Sequence, residues 1–253
     1  MTLQIFDIYK IQPKRRFPMT NPVLARNTTA LRGQGATVQG IALITLLYLG
    51  FVVSAAMMAW QHPELFVPKV IVLSFGGLAV GMLASYYPKW VNVLGPVYAI
   101  LEGFLIGVYS VLLETRYPGI VMEAATCTFG IAFACAILYG TGLVKVTDTF
   151  RKIAFTLTLG VAIIYLIDLV AFFFFDTNVP LLHQNSRAGI MVSIIIIVIA
   201  TMRLFADYDM VSRAVEMGVD AKYEPYYAFA LTVTLIWLYL EILRLMGKSR
   251  SRK

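Results

Sequence analysis

The sequence predicts an all-α integral membrane protein, a bundle of seven transmembrane helices, from three observations. Of its 253 residues, 59% are apolar and only 14% are charged, and the mean hydropathy is +0.77. The apolar residues fall into seven runs of about 20, the length that a helix needs to cross a bilayer. Most charged residues lie between the runs or at the chain ends. This leaves no separate soluble domain, so any function is expected within or beside the bilayer.

Helix breakers and charged connectors separate the seven runs. Pro88 ends the second run and Pro225 opens the seventh, since proline disrupts a helix interior but is tolerated in a first turn. The β-branched stretch 194–199 must be helical, because an open strand in lipid would leave its backbone unpaired. The predicted spans are about 40–60, 69–87, 94–113, 120–139, 153–175, 188–208 and 226–246 of a transmembrane domain at 40–247.

The segments outside the spans are basic. Residues 1–39 are expected to form a loosely ordered arm that binds anionic lipid, with Met19 as an alternative start, and residues 248–253 form a tail. A cytoplasmic N-terminus places twelve of the 21 Lys and Arg residues inside and seven outside, which favours this orientation. Four of those seven lie in the tail, so a seventh segment that enters without crossing stays an alternative.

Glu123 and Arg244 lie about a turn from a span end and can extend to the bilayer interface. Apart from these two, five charged residues lie well inside the predicted spans, where each costs on the order of 2.5–3.5 kcal/mol and therefore marks a pairing or functional role. They are Glu102, Asp168, Arg203, Asp207 and Glu241. For each of them, a structural ion pair and a transport or proton site both stay open. Glu102 and Asp168 have no basic neighbour in sequence, so each either faces Arg203 across the bundle or is held protonated by desolvation.

The heights of these charges follow from counting residues away from the turn near 219–221. At 1.5 Å per residue, Arg203 and Glu241 lie within roughly 5 Å of one level, whereas Asp209 lies roughly 13 Å from the level of Glu241. Arg203 is therefore expected to be the direct partner of Glu241. Its four-residue spacing from Asp207 also predicts a local ion pair, and Asp209 is expected to be solvated near the helix end.

The sequence gives little support for a catalytic, metal or nucleic-acid-binding site. His62 and His183 lie in loops and form no HExxH pattern, and no GxSxG, Walker or dinucleotide motif occurs. Cys127 and Cys135 fall in one apolar run, so neither a disulfide nor a metal site is indicated. A net charge of +7, diluted over the chain ends, does not suggest nucleic-acid binding. We therefore expect no enzymatic activity, no cofactor and no tight metal site.

Small residues recur at four-residue spacing in two of the spans. Gly77 and Gly81 lie in the second span, and Gly103 and Gly107 lie in the third. Such pairs allow two helices to approach closely, so they predict tight helix packing.

Three stretches carry a resemblance. They are Asn21-Pro22-Val23-Leu24, the segment YAILEGFLIG at 98–107, and ADYD at 206–209 followed by LIWLYLEILRL at 235–245. Together they resemble the Bax inhibitor (transmembrane Bax inhibitor motif) family, in its bacterial YccA-like branch. The resemblance extends over about residues 20–247 and favours Met19 as the start.

The resemblance implies a seven-helix bundle with a central last helix, and a pH-sensitive calcium leak gated by one acid on each of the last two helices. By motif position these acids are Asp209 and Glu241, which are also the candidates for a weak calcium site. Three departures stand out: a longer turn between them, glutamate in place of aspartate at 241, and a cation at Arg203. A fixed cation there opposes calcium entry unless it acts as a lock that protonation releases.

The leading hypothesis is a cation leak, with calcium foremost, in a bacterial plasma membrane. Asp209, Glu241 and Asp207 form its pH gate, Arg203 its charge lock, and Glu102 and Asp168 are secondary candidates. The alternative is a non-conducting regulatory partner of a membrane protease or quality-control complex, in which the basic arm and residues 211–224 form contact surfaces. A small-molecule transporter ranks last, because the paired broken half-helices that often mark one do not occur.

Overall fold

The protein folds into seven long helices joined by short connections in a computed structural model, which describes residues 35–175, 177 and 179–251. The helices are α1 (Val38–Gln61), α2 (Val70–Tyr86), α3 (Val91–Arg116), α4 (Ile120–Gly140), α5 (Asp148–Phe175), α6 (Arg187–Glu216) and α7 (Glu224–Arg250). All seven belong to segments that are long and apolar enough to cross a membrane, which confirms the predicted fold class. Most of the predicted arm, residues 1–34, and the tail residues 252–253 lie outside the described part.

Local sequence explains where several helices begin and end. The side chains of Thr37 and Ser186 accept hydrogen bonds from backbone N–H groups three residues later and so cap α1 and α6. Helix α6 continues beyond residue 208, the predicted end of the sixth span, to Glu216, since Val211 and Ala214 stay buried against the bundle. Gly218 follows with a φ of +65°, a left-handed conformation that suits glycine at a helix end.

The helices alternate in direction, which defines two ends of the bundle. We call the end where α1 begins the proximal end; it also holds the connections 87–90, 141–147 and 217–223. The opposite, distal end holds the connections 62–69 and 117–119 and the described residues 177 and 179–186. At the proximal end the N–H of Ala36 donates to the carbonyl of Val219 at 2.7 Å, and the carboxylate of Glu224 accepts from the N–H of Thr37 at 2.7 Å. The start of α1 is therefore fastened to the turn between α6 and α7.

Helix α7 packs against α1, α3, α4 and α6, and half of its apolar window is buried, the largest share among the seven segments. Helices α2 and α5 have the smallest buried shares, 6% and 11%, and turn most of their apolar surface outward. Helices α1 and α3 meet closely, because a Cβ on Gly103 would lie only 2.5 Å from the carbonyl oxygen of Val52. Gly107 makes the same approach to Ala56, as the spacing of the two glycines predicts.

Candidate functional site

Two contacts set the register between α6 and α7. The hydroxyl of Thr234 donates to Asp207 Oδ2 at 2.6 Å, and Lys248 Nζ donates to the hydroxyl of Ser193 at 2.8 Å. Glu241 lies midway between Thr234 and Lys248 in sequence, so it is level with residue 200 of α6. At 1.5 Å per residue, Arg203 then lies roughly 5 Å and Asp209 roughly 14 Å from the level of Glu241.

Asp209 forms the core of a polar cluster near the proximal end. Its carboxylate accepts hydrogen bonds from Arg151 Nη1 at 2.5 Å, Arg213 Nε at 2.7 Å and the hydroxyl of Tyr139 at 3.3 Å. The side chain of Asp209 is only 8% exposed, so the expectation of a solvated carboxylate was wrong. We call these four residues the proximal cluster. It joins α4, α5 and α6, and Arg151 also pairs with Asp148 at the start of α5.

Asp207 lies two residues before Asp209 on α6, about 3 Å deeper along the helix, and is fully buried. Arg203 Nη2 approaches Asp207 Oδ1 at 2.9 Å, which confirms the local ion pair expected from their spacing. This contact is an ion pair and not a hydrogen bond, because Oδ1 accepts no hydrogen bond from the described residues. The other oxygen is occupied by Thr234 of α7. The buried carboxylate of Asp207 thus contacts a cation on its own helix, α6, and a hydroxyl group on α7.

Glu241 pairs with neither residue considered for it. Its carboxylate accepts a hydrogen bond from the Tyr165 hydroxyl at 2.5 Å and another from Arg244 Nη1 at 3.1 Å. Arg244 Nη1 also donates to the Tyr165 oxygen at 2.6 Å, which closes a three-membered cluster, the Glu241 cluster. The expected Glu241–Arg203 contact was therefore wrong, although the two residues lie near one level. Arg203 is directed at Asp207 on its own helix instead.

Neither Asp168 nor Glu102 faces Arg203, which was one of the two alternatives expected for them. Asp168 accepts hydrogen bonds from the N–H of Val179 and from His183 Nε2, each at 2.8 Å, so it holds the distal loop and does not face Arg203. Sequence reasoning missed His183 because it treated that side chain as a solvated loop residue. Glu102 lies on α3, and among the described residues neither a basic group nor a hydrogen-bond donor contacts its carboxylate.

The sequence matches a family model described as Bax inhibitor 1 like over residues 21–251. The chain belongs to this family. The matched region includes all three stretches from which the resemblance was inferred. Among curated proteins and among solved structures, the corresponding searches found no match.

In this member of the Bax inhibitor 1-like family, Asp209 and Glu241 do not form one ion site. Calcium is held by six to eight oxygens at about 2.3–2.6 Å, so carboxylates roughly 14 Å apart along the bundle cannot share an ion. Within the described ranges, no group of three or more His, Cys, Asp or Glu side chains is arranged to hold a metal. Each acid instead belongs to a separate, arginine-containing cluster.

The proximal turn of this family member carries a further acid, Asp220, outside the membrane-spanning segments. The backbone N–H of Lys222 donates to Asp220 Oδ1 at 3.0 Å, and the Lys222 ammonium lies 3.0 Å from the other oxygen. These contacts hold the pKa of Asp220 below its ordinary value, with the backbone hydrogen bond as the largest cause. Asp220 is therefore charged throughout the neutral range and is not suited to sense pH there.

Proposed function

We propose that this protein is a pH-sensitive leak for cations, with calcium foremost, in a bacterial plasma membrane. In this proposal it belongs to the YccA-like branch of its family, its N-terminus is cytoplasmic, α7 is central to the path, and no enzymatic step is involved. One observation carries the proposal: every buried carboxylate on α6 and α7 is paired with an arginine. The pairs are Asp207 with Arg203, Asp209 with Arg151 and Arg213, and Glu241 with Arg244.

These pairs describe a closed state. A row of carboxylates in a low-dielectric bundle attracts cations, but an arginine beside each carboxylate cancels that attraction and occupies the space beside it. A cation gains nothing by entering while the pairs persist. All four arginines thus act as charge locks, a role that the sequence suggested for Arg203 alone. Arg203 itself locks only Asp207.

Protonation of a carboxylate removes the attraction and releases its arginine. Asp209 is the residue at which this release matters most, because Arg151 belongs to α5 whereas Asp209 and Arg213 belong to α6. Loss of the charge on Asp209 therefore loosens α5 from α6 at the proximal end, a two-state packing biased by one proton. Glu241 is a second gate residue, since its carboxylate joins α7 to Tyr165 of α5.

The test is calcium flux into liposomes that contain the purified full chain, from mildly acidic to mildly basic pH. We expect the flux to rise as the pH falls. Asp209→Asn and Glu241→Gln are expected to raise the flux at neutral pH and to flatten its pH dependence. Glu123→Gln is the matched control, because Glu123 is a half-exposed acid that pairs with Arg250 at the distal surface.

Two outcomes would reject the proposal. If folded protein passes no cation at any pH, the leak is excluded, and a stable complex with a membrane protease after mild solubilisation would then favour the regulatory role. If flux occurs but Asp209→Asn and Glu241→Gln behave like Glu123→Gln, the path does not use the paired acids. Potassium in place of calcium in the same liposomes measures the ion preference.

A further inference from the structure

A groove runs along the outside of the bundle between α2 and α5. Its volume is about 480 Å³, within the range of sites that enclose small organic molecules. Helices α3 and α7 form its floor, with Tyr98 and Leu105 from α3 and Phe229 from α7. Phe75 and Met82 on its α2 wall are each nearly half exposed, so the groove opens on the apolar surface that faces lipid.

Glu102 lies in this groove at mid-height of the bundle, eleven residues after the start of α3 and fourteen before its end. Within the described part of the chain, its carboxylate has no cation and no hydrogen-bond donor as a partner. Gly77 of α2 makes the room for it, since a Cβ there would lie 2.7 Å from Glu102 Oε1; a Cβ on Gly81 would lie 3.1 Å from the Tyr98 ring. These glycines accommodate side chains rather than a neighbouring backbone.

Three hydroxyl groups of the groove are already occupied. The hydroxyls of Ser74 and Ser85 donate to carbonyl oxygens of their own helix, and the Tyr165 hydroxyl donates to Glu241. One carboxylate supplies too few oxygens for calcium, which takes six to eight. The remaining lining is apolar and aromatic, with the rings of Phe75, Tyr98, Tyr165 and Phe229. A metal ion is therefore a poor fit.

A carboxylate in a groove lined with aromatic rings is an arrangement that recognises an organic ammonium, because ring faces and carboxylate both attract the same cation. We propose that this groove binds a lipophilic ammonium, one positively charged nitrogen on an apolar body, which enters sideways from the bilayer. The nitrogen lies against Glu102 among the rings, and the apolar body lies along Leu105 and the α2 wall. A phospholipid headgroup does not reach this depth, which is roughly 16 Å from the proximal end of α3.

The experiment measures equilibrium binding of tritiated dodecyltrimethylammonium to the full chain in nanodiscs, with empty nanodiscs as background. This probe keeps its charge at every pH. We expect saturable binding to the native chain and about tenfold or greater loss of affinity in Glu102→Gln, which keeps the size of the side chain and removes the charge that attracts the probe. Glu123→Gln removes an equal charge outside the groove and is expected to bind like the native chain.

A second variant and a second probe keep the test decisive. Leu105→Trp fills the groove without changing its charge and is expected to weaken binding to a similar extent, so the proposal stays testable if Glu102→Gln does not fold. Unlabelled dodecanol is expected to compete poorly, because it lacks the positive nitrogen. Equal affinity of the native chain and folded Glu102→Gln, or competition by dodecanol as strong as by the ammonium, would overturn the proposal. Flux plays no part in this readout, so the leak can fail while the ammonium site holds.

Discussion

The contact between Asp209 and Arg151 yields the sharpest prediction, and it is tested by a double-mutant cycle. Asp209→Asn keeps the volume of the side chain and removes its charge, which leaves Arg151 and Arg213 without their shared anion. Breaking a fully buried pair costs about 3–5 kcal/mol. Here the two arginine side chains are 26% and 41% exposed and regain water, so we expect a destabilisation of about 2 kcal/mol.

The companion variant, Arg151→Gln, costs less. Asp209 then keeps Arg213 at 2.7 Å, so we expect a loss of about 1 kcal/mol for Arg151→Gln alone. In the double variant the two effects are expected to overlap by about 1 kcal/mol, since both single changes remove one common contact. For a chain of this size, each kcal/mol corresponds to roughly 2–4 °C in the melting temperature.

The assay is thermal unfolding of the four purified proteins in one detergent, followed by the fraction that stays monodisperse. The same cycle on Glu123 and Arg250 is the control, and it is expected to show a coupling below about 0.5 kcal/mol because Glu123 is 55% exposed. Strictly additive effects of Asp209→Asn and Arg151→Gln would refute the claim that this pair joins α5 to α6. A folded Asp209→Asn protein that stays closed at neutral pH would refute the gate.

Three further predictions concern other parts of the fold. Gly103→Ala forces a methyl group against the α1 backbone and is expected to destabilise the protein by about 1–3 kcal/mol. Gly50→Ala is the control and is expected to have little effect, because there is open space around Gly50. Equal melting temperatures of the two variants would contradict the close packing of α1 and α3. His183→Gln removes the contact with Asp168 and is expected to speed amide hydrogen exchange in residues 179–184 but not in α6; unchanged exchange would show that this contact does not hold the loop. The pKa of Asp220 is lower in the folded than in the unfolded protein, so its contribution to stability is present above the unfolded pKa and is lost only as the pH falls through the folded pKa. Asp220→Asn is therefore expected to leave the pH midpoint of calcium flux unchanged. A shifted midpoint would show that Asp220 senses pH.

The seven helices were predictable because hydropathy and length alone determine which segments can cross a membrane. Heights along neighbouring helices were predictable too, since the rise per residue is fixed: Arg203 does lie near the level of Glu241. The rotation of each helix about its axis was not predictable, because it depends on packing between helix faces that lie far apart in the sequence. The partner of Glu241 is consequently Arg244, three residues along its own helix, which the sequence allowed to extend to the bilayer interface.

The environment of Asp209 shows the other limit of sequence reasoning. Its position two residues after Asp207, towards a polar helix end, suggested a solvated carboxylate. Arg151 is 58 residues away in sequence, and no local pattern indicates that the start of α5 packs against the end of α6. The Gly77–Gly81 pair is similar: its spacing predicts close packing, but only the fold shows that the two glycines make room for Glu102 and Tyr98.

The contact between the start of α1 and the turn before α7 has a consequence for how the protein is made. Synthesis completes α7 only after the other six helices. Until then the N–H of Thr37 lacks the carboxylate of Glu224, and Asp207 lacks the hydroxyl of Thr234. The packing of these seven helices is thus completed only when α7 has left the ribosome. A chain cut short before Glu224 displays unpaired polar groups to lipid, and we expect membrane quality-control proteases to remove it.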